Sequence, residues 1–271
     1  MSYDSAEISN YDGVPTILYE FLMGTNAWRY ASGEQDVTYV GNAFTAVPIS
    51  DSGIVQSGDV NNDDFTVTMP DNVTLAVLFI ATPPSAPIYL RVRRMNRGET
   101  DAPIVWVGTV KSAKHPTIAS LAVVCKVLTS SLDRNGLRLS WGRGCQHALY
   151  DRNCCVDPDD FGIAVAVDSL TGGTFTSSGL AAVATGYLAG GYLEWELLPG
   201  VMERRAIDSH AGTTVTVLGT TDGLEAGQMV TVYPGCDRVT LTCQTKFNNL
   251  ANYGGFPHMP GKSPFDGDPV F

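Results

Sequence analysis

The chain has 271 residues, of which 44% are hydrophobic and 17% are charged, a balance that supports a packed core and excludes intrinsic disorder by composition. Its 28 acidic and 17 basic residues give a net charge of −11 at pH 7, and an acidic surface disfavours sequence-independent binding to nucleic-acid phosphates or to anionic membranes. The 28 glycines and 15 prolines favour strands and turns over helices.

The first half of the chain contains runs of β-branched and aromatic residues bounded by Gly, Asp and Asn, which is typical of strands. The predicted strands are residues 16–23, 37–40, 65–69, 88–94, 104–110 and 118–127. A helix is predicted over residues 73–81, with Asp71 or Asn72 as its N-cap and Pro83 at its end. Residues 1–138 are therefore expected to form β-rich domains.

The chain changes character near residue 139. A polar, cysteine-bearing segment is followed by five predicted strands at residues 163–167, 192–197, 202–207, 213–218 and 229–233. Five short strands joined by turns that contain Asp and Gly have the size of a small barrel. A short helix is predicted over residues 240–250, before a Gly- and Pro-rich end. We therefore expect a small β-barrel at residues 163–234, inserted between the two parts of a cysteine-bearing domain at residues 139–162 and 235–271.

Neither of the two long uncharged stretches is expected to cross a membrane. Prolines divide residues 75–90 into pieces shorter than a span requires, and residues 169–193 are rich in Gly, Ser and Thr. The first residues, MSYDSAEISNYDG, lack the basic and apolar regions of a secretory signal. We therefore expect synthesis in a reducing cytoplasm, where permanent disulfides are rare, and no stable membrane insertion.

Four of the six cysteines form two pairs that flank the predicted barrel, so the ends of the barrel can bring them together. The pairs are Cys145 with Cys154 (C-x8-C) and Cys236 with Cys243 (C-x6-C). Four converging thiolates suit a tetrahedral metal or an iron–sulfur cluster. Zinc sites prefer two to four residues between paired ligands, and a bulky cluster tolerates longer spacings. Spacing alone leaves two alternatives open, namely a metal site and four unrelated buried cysteines.

The remaining chemistry-bearing residues indicate no enzyme. Cys125 lies in the apolar run LAVVCKV and is predicted to be a core residue, whereas Cys155 adjoins Cys154, so either of that pair is a candidate ligand. No G-x-S-x-G or H-E-x-x-H motif is present in the sequence, and its four histidines are scattered. Glu194 and Glu196 share one strand face, a pattern that a solvent-facing strand also produces.

The two cysteine-bearing segments resemble a known family in the order of their residues. In GCDRVTLTCQTKFNNLANYGGFPHMPG the matching positions are Cys236, Asp237, Cys243, Phe247, Asn249, Asn252, Gly255, Pro257, Pro260 and Gly261. In CQHALYDRNCCVD they are Cys145, His147, Leu149, Tyr150, Cys154, Val156 and Asp157. The pattern is similar to that of the tail-tip or baseplate hub proteins of phages with long non-contractile tails, a family related to the lambda tail-tip protein and to gene-transfer-agent hub proteins. The resemblance is strongest over residues 132–261.

The resemblance implies a metal centre at these cysteines. The implied cofactor is a 4Fe-4S cluster, with zinc as the alternative, and the implied ligands are Cys145, Cys154, Cys236 and Cys243. Cys155 stands where the family more often has glycine, which makes it a possible substitute for Cys154. We expect such a cluster to be structural, because it would join the two ends of the inserted barrel.

The resemblance also implies hub-like β domains in residues 1–138 and a structural, non-enzymatic role at the virion tail tip, after assembly in the host cytoplasm. The expected assembly is a homo-oligomer, a trimer, around the tail channel, between a distal tail ring protein and a central hub or fibre protein. DNA would only pass through this channel, and an acidic lumen would not retain it. A lumen lined by arginines would contradict this hypothesis; the candidates are Arg91, Arg93, Arg94 and Arg97.

Two functions from other classes are alternatives to this reading. A carbohydrate-binding β module would contact the host surface through the aromatic pairs Tyr192/Trp195 and Tyr253/Phe256. A tail-associated cell-wall hydrolase would need acid, base or open-metal residues, for which the sequence shows no pattern.

Overall fold

The structure is a computed structural model that describes residues 15–55, 57, 63–79, 83–96, 100–133, 136 and 141–260. The chain divides into two compact units, Met1–Arg134 and Asn135–Phe271. The features considered above that lie outside the described residues include the N-terminal segment 1–13, the end of the helix predicted over 73–81, Arg97 and Gly261.

The first unit is built on one nine-stranded sheet. Its strands are β1 (Pro15–Met23), β2 (Asn26–Ala31), β3 (Val37–Tyr39), β4 (Asn42–Ala46), β5 (Ser50–Asp51), β6 (Phe65–Pro70), β7 (Tyr89–Asn96), β8 (Ile104–Thr117) and β9 (Ser120–Val127). The strand order is β3-β4-β2-β1-β7-β8-β9-β6-β5. Among the described strands, β2 and β4 pair in parallel and the other neighbours pair antiparallel.

Alternating side chains decide which face of this sheet is buried. In β6 every second residue is buried, and in β7 Leu90 and Val92 are buried while Arg91 and Arg93 lie on the other face. Arg91 donates to the Glu20 carboxylate at 3.0 Å, and Arg93 donates to the Ala102 carbonyl at 3.0 Å. Both arginines therefore have partners within their own unit.

Two helical segments lie in the described part of the first unit. The helix predicted over residues 73–81 is a 3-10 helix, Thr74–Phe79, as far as it is described. It is short, as 3-10 helices usually are, and it buries Leu75 and Phe79. A second 3-10 helix, Leu128–Asp133, follows β9.

The second unit contains a seven-stranded sheet that curls into a half-barrel. Its strands are β10 (Ile163–Ala166), β11 (Ser169–Thr171), β12 (Thr174–Thr176), β13 (Tyr192–Leu198), β14 (Val201–Ala211), β15 (Thr214–Val217) and β16 (Met229–Tyr233), in the order β10-β16-β13-β14-β15-β12-β11. β10 and β11 are the two edge strands of this sheet, and only Val167 and Asp168 separate them in the chain. The sheet therefore curves so that its two edges approach each other.

The mainly β fold predicted from the sequence is confirmed. The five strands predicted for the barrel are present, and the structure adds β11 and β12, a hairpin that turns at Gly172, whose φ is 58°. The core of the half-barrel includes Trp195, Phe175 and Leu193, all fully or almost fully buried. The division of the second unit into an inserted barrel and two flanking parts stays a prediction.

Short helices flank the half-barrel. They are the 3-10 helices Pro158–Asp160, Ser178–Leu180 and Leu250–Asn252 and one α-helix, α1 (Thr240–Thr245). The helix predicted over residues 240–250 is therefore divided into α1 and a 3-10 turn. In the described part of the chain, no helix is long and apolar enough to span a membrane.

Candidate functional site

The half-barrel brings the two cysteine-bearing segments together. Strands β10 and β16 are antiparallel neighbours, and Ile163 at the start of β10 pairs with Val232 near the end of β16. The segment that enters β10 and the segment that leaves β16 therefore begin side by side. Two hydrogen bonds join these segments further out: the Tyr150 hydroxyl donates to the Pro234 carbonyl at 2.9 Å, and the Cys145 amide donates to the Arg238 carbonyl at 2.9 Å.

Four cysteines line one cavity of about 150 Å³ between these segments. They are Cys145, Cys154, Cys236 and Cys243, and the other lining residues include His147, Leu149, Val156, Arg238, Phe247 and Asn252. Cys154 and Cys243 are buried, and Cys145 and Cys236 are half-buried. The four residues selected from the sequence are thus neighbours in space, although they come from positions about 90 residues apart in the chain.

A tight turn orients the first cysteine pair. The Asp151 carboxylate accepts hydrogen bonds from the backbone amides of Asn153 at 2.9 Å and Cys154 at 2.6 Å, and the bond from Cys154 lowers the pKa of Asp151. Tyr150 and Cys155, on either side of the turn, adopt left-handed φ values of 66° and 59°. The Cys154 side chain consequently faces the cavity, whereas Cys155 is exposed and its thiol donates to the Arg152 carbonyl at 3.1 Å.

The loop around Asp237 and the helix α1 orient the second cysteine pair, Cys236 and Cys243. The Asp237 carboxylate accepts the Val239 amide at 3.0 Å and the Thr242 hydroxyl at 2.8 Å. Arg238 adopts a left-handed φ of 65°, which turns the chain between Cys236 and α1. Cys243 lies within α1 and is its buried residue.

Two of the four thiols resist ionisation in the absence of a cation. Burial raises the pKa of Cys236 and of Cys243, and the negative charges of neighbouring cysteines raise both further. At Cys236 a backbone amide partly compensates, because Arg238 N–H donates to the Cys236 sulfur at 3.3 Å. Gly254 N–H donates to the Cys145 sulfur at 3.3 Å. A bound cation would reverse the balance by stabilising the thiolates.

The donor set fits a soft metal centre. Four sulfurs without a carboxylate among them suit zinc or an iron–sulfur cluster, and N–H groups directed at ligating sulfurs are a usual feature of such sites. Within the residues described, no set of three or more His, Cys, Asp or Glu side chains has the arrangement of a single-ion site. The cavity of about 150 Å³ exceeds the roughly 30 Å³ that one water occupies, so there is room for a group larger than one ion.

An aromatic cluster supports one wall of the site. Tyr192 and Tyr233 stack with ring centroids 4.4 Å apart, and Tyr150 meets both edge-on at 5.8 and 6.1 Å. Phe247 contacts Tyr150 at 6.4 Å. Next to it, the Lys246 ammonium donates to the Tyr187 and Gly235 carbonyls at 2.5 and 2.6 Å, and burial lowers the pKa of Lys246.

The aromatic residues proposed for carbohydrate binding lie in other environments. Trp195 is a core residue with 1% exposure, and Tyr192 belongs to the aromatic cluster. The Tyr253 hydroxyl donates to the Arg143 carbonyl at 2.7 Å and to the Arg238 carbonyl at 3.0 Å. Phe256 is exposed and packs against the exposed Trp141 at 4.4 Å, a pairing that the sequence did not reveal.

Other candidates from the sequence are accounted for by ordinary contacts. Cys125 is fully buried in β9, as predicted. Glu194, one of the two acidic residues on the same face of β13, forms an ion pair with Arg204, which is a structural contact. The sequence analysis assigned no role to Asn249 or Tyr253 in holding the cysteine segments. The one feature of the sequence that could have indicated Asn249 is its place among the positions that carry the family resemblance.

Comparison with known proteins gives a match to one family model and matches to several solved chains. Residues 186–263 match the model of a family described as phage conserved hypothetical protein BR0599; this range includes Cys236 and Cys243 and is less than half of the chain. A solved chain from the virion of native gene transfer agent (GTA) particle is similar over 100% of this chain and 99% of that chain, with a TM-score of 0.80 and 16% sequence identity. At that identity the likeness shows a common fold. No curated protein matches the chain.

Proposed function

We propose that the protein is a structural, non-enzymatic component of a phage-type virion tail and acts as a baseplate hub at the tail tip. The observation that carries this proposal is the likeness in fold to a chain of a gene-transfer-agent virion along the entire length of both chains, with a TM-score of 0.80. The match of residues 186–263 to a family of phage proteins points the same way. We infer a homo-oligomer, a trimer, that surrounds the tail channel and joins a distal tail ring protein to a central hub or fibre protein.

The charge of the chain supports a place beside passing DNA. A net charge of −11 repels phosphate, so DNA would move past such a surface without binding to it. The arginines that would oppose this idea include Arg91 and Arg93, and both have partners inside the first unit.

We further propose that Cys145, Cys154, Cys236 and Cys243 hold a structural iron–sulfur cluster, most simply 4Fe-4S. When bound, the cluster supplies covalent cross-links between four thiolates. The cavity that the four cysteines line together with other residues has a volume of about 150 Å³, which leaves room for a cluster. Zinc, bound by four sulfurs at about 2.3 Å, is the alternative metal.

The segments around the site need such a cross-link because they have little core of their own. The buried hydrophobic cluster there consists of Cys154, Val156 and Phe247, with a few half-buried neighbours. The one α-helix among the described residues of these segments, α1, has six residues. A metal that binds only the folded segments would therefore contribute much of their stability.

Two experiments test the parts of this proposal separately. Labelling of intact particles with an antibody against this protein should mark the tail tip; label on the capsid, or particles lacking the protein, would overturn the hub role. Protein purified without oxygen should be brown and contain about four irons per chain. The four Cys→Ser variants should lose this colour, and Cys125→Ser, in the other unit, should keep it. One zinc per chain would change the metal, and no metal would reject the centre.

A further inference from the structure

Asn249 contacts two of the four cysteines at once. Its side-chain amide nitrogen donates to the Cys154 carbonyl at 2.5 Å and lies 3.8 Å from the Cys154 sulfur. Its backbone amide donates to the Cys243 carbonyl at 3.0 Å, and its carbonyl accepts the Cys243 thiol at 3.3 Å. Asn249, which carries no ligand atom for the cluster, therefore joins Cys154 of the first segment through its side chain to Cys243 of the second through its backbone.

The orientation of the Asn249 amide is set by its neighbour. Asn252 donates through its side-chain amide to the Asn249 side-chain oxygen at 2.6 Å. Because that oxygen is the acceptor in this bond, the NH₂ group of Asn249 must face Cys154. The amide cannot rotate to exchange its ends without losing both hydrogen bonds.

The residues that follow Asn249 reach the other half of the site. Gly254 N–H donates to the Cys145 sulfur at 3.3 Å. The Tyr253 hydroxyl bonds to the carbonyls of Arg143 and Arg238, which lie two residues from Cys145 and Cys236 along the chain. Residues 249–254 thus contact each of the four thiol positions directly or through a residue close to it.

We propose that Asn249 is a positioning residue for the four-thiol site. It fixes the distance between Cys154 and Cys243 and directs an N–H group at the Cys154 sulfur. This inference rests on the proposed metal centre. An N–H group directed at a ligating sulfur stabilises the charge on that sulfur and raises the reduction potential of the cluster, so the role of Asn249 is electrostatic as well as structural.

Two substitutions separate these roles. Asn249→Leu keeps most of the side-chain volume and removes the donor, whereas Asn249→Asp keeps the shape and replaces the donor with a negative charge. Gln244→Ala, at an exposed position of α1, is the matched control. Should Asn249→Leu fail to fold, the isosteric Asn249→Asp carries the test.

Three measurements are made on each variant of the full chain: iron content, reduction potential, and the rate at which each thiol is alkylated after the metal has been removed. We expect both Asn249 variants to lose iron about ten to a hundred times faster than the parent protein. Their potential should be more negative, most of all for Asn249→Asp. Alkylation of Cys154 and Cys243 should accelerate, while that of Cys125 stays constant.

The outcomes distinguish this inference from the proposed cofactor. A parent protein that takes up no iron rejects the metal centre, and the alkylation rates then still show whether Asn249 positions Cys154 and Cys243. A parent protein that binds a cluster, together with Asn249 variants of unchanged potential and iron loss, rejects the role of Asn249. Faster iron loss with an unchanged potential rejects its electrostatic part.

Discussion

The hydroxyl of Tyr150 is one direct link between the turn that carries Cys154 and the chain that leaves the half-barrel. Tyr150→Phe removes its hydrogen bond to the carbonyl of Pro234, a buried residue, and preserves the edge-on ring contacts with Tyr192 and Tyr233. Leaving a buried acceptor without its donor costs about 1–3 kcal/mol. We therefore expect the turn around Cys154 to open more often.

The energetic cost of losing this hydrogen bond can be measured as a change in the rate of hydrogen exchange. A cost of about 1–3 kcal/mol corresponds to an opening equilibrium about 5- to 140-fold larger. Native-state hydrogen exchange followed by mass spectrometry reports this equilibrium for peptides that span residues 151–156. Burial keeps the pKa of Tyr150 well above its usual range, so the phenol stays protonated and the effect should not change across neutral pH.

A matched control shows whether the hydrogen bond is responsible. Tyr89→Phe changes an exposed tyrosine of the other unit and should leave exchange in residues 151–156 unchanged. If Tyr150→Phe exchanges at the parent rate in this segment, the link between Tyr150 and Pro234 contributes nothing to the site. Faster exchange spread evenly over the entire second unit would refute the local character of the effect.

Two further substitutions test the half-barrel and its connection to the cysteine segments. A Cβ at Gly235 would lie 2.0 Å from the Ala189 carbonyl oxygen, so Gly235→Ala requires backbone movement and should lower the free energy of unfolding by more than about 4 kcal/mol. The control Gly144→Ala, where the nearest atom to the new Cβ is 3.7 Å away, should fold normally. Equal soluble yields of the two variants would contradict the prediction for Gly235. Arg205→Met removes the ion-pair partner of the buried Glu203 carboxylate and should cost about 3–5 kcal/mol in urea unfolding. Arg204→Met, at a more exposed pair, should cost about 0–1 kcal/mol.

The half-barrel and the cysteine segments differ in how much apolar core each of them has. The half-barrel has a closed apolar core around Trp195, and it can form without help from a metal. The cysteine segments, by contrast, are held by turns, single hydrogen bonds and a small aromatic cluster. A cross-link at the cavity would therefore act on the weakest part of the second unit.

Local patterns in the sequence determined the strands whose side chains alternate strongly. β6, β7 and β13 each place apolar residues at every second position, and this period exists before any tertiary contact forms. Five strands were not foreseen, namely β2, β4, β5, β11 and β12. Of these, β5 and β11 have only two and three residues, and such short strands form only when a neighbouring strand supplies hydrogen bonds. The helix predicted over residues 73–81 is present as the 3-10 helix Thr74–Phe79, as far as it is described.

The sequence by itself also determined that two cysteine pairs flank one β segment, since this is a matter of chain order. Only the tertiary structure decided that all four thiols line the same cavity, because that depends on the pairing of β10 with β16. Between adjacent cysteines, the left-handed backbone of the turn after Asp151 directs Cys154 inward and Cys155 to solvent. The contact of Asn249 with Cys154 likewise joins residues that are 95 positions apart in the chain, and local sequence patterns carry no information about such a contact.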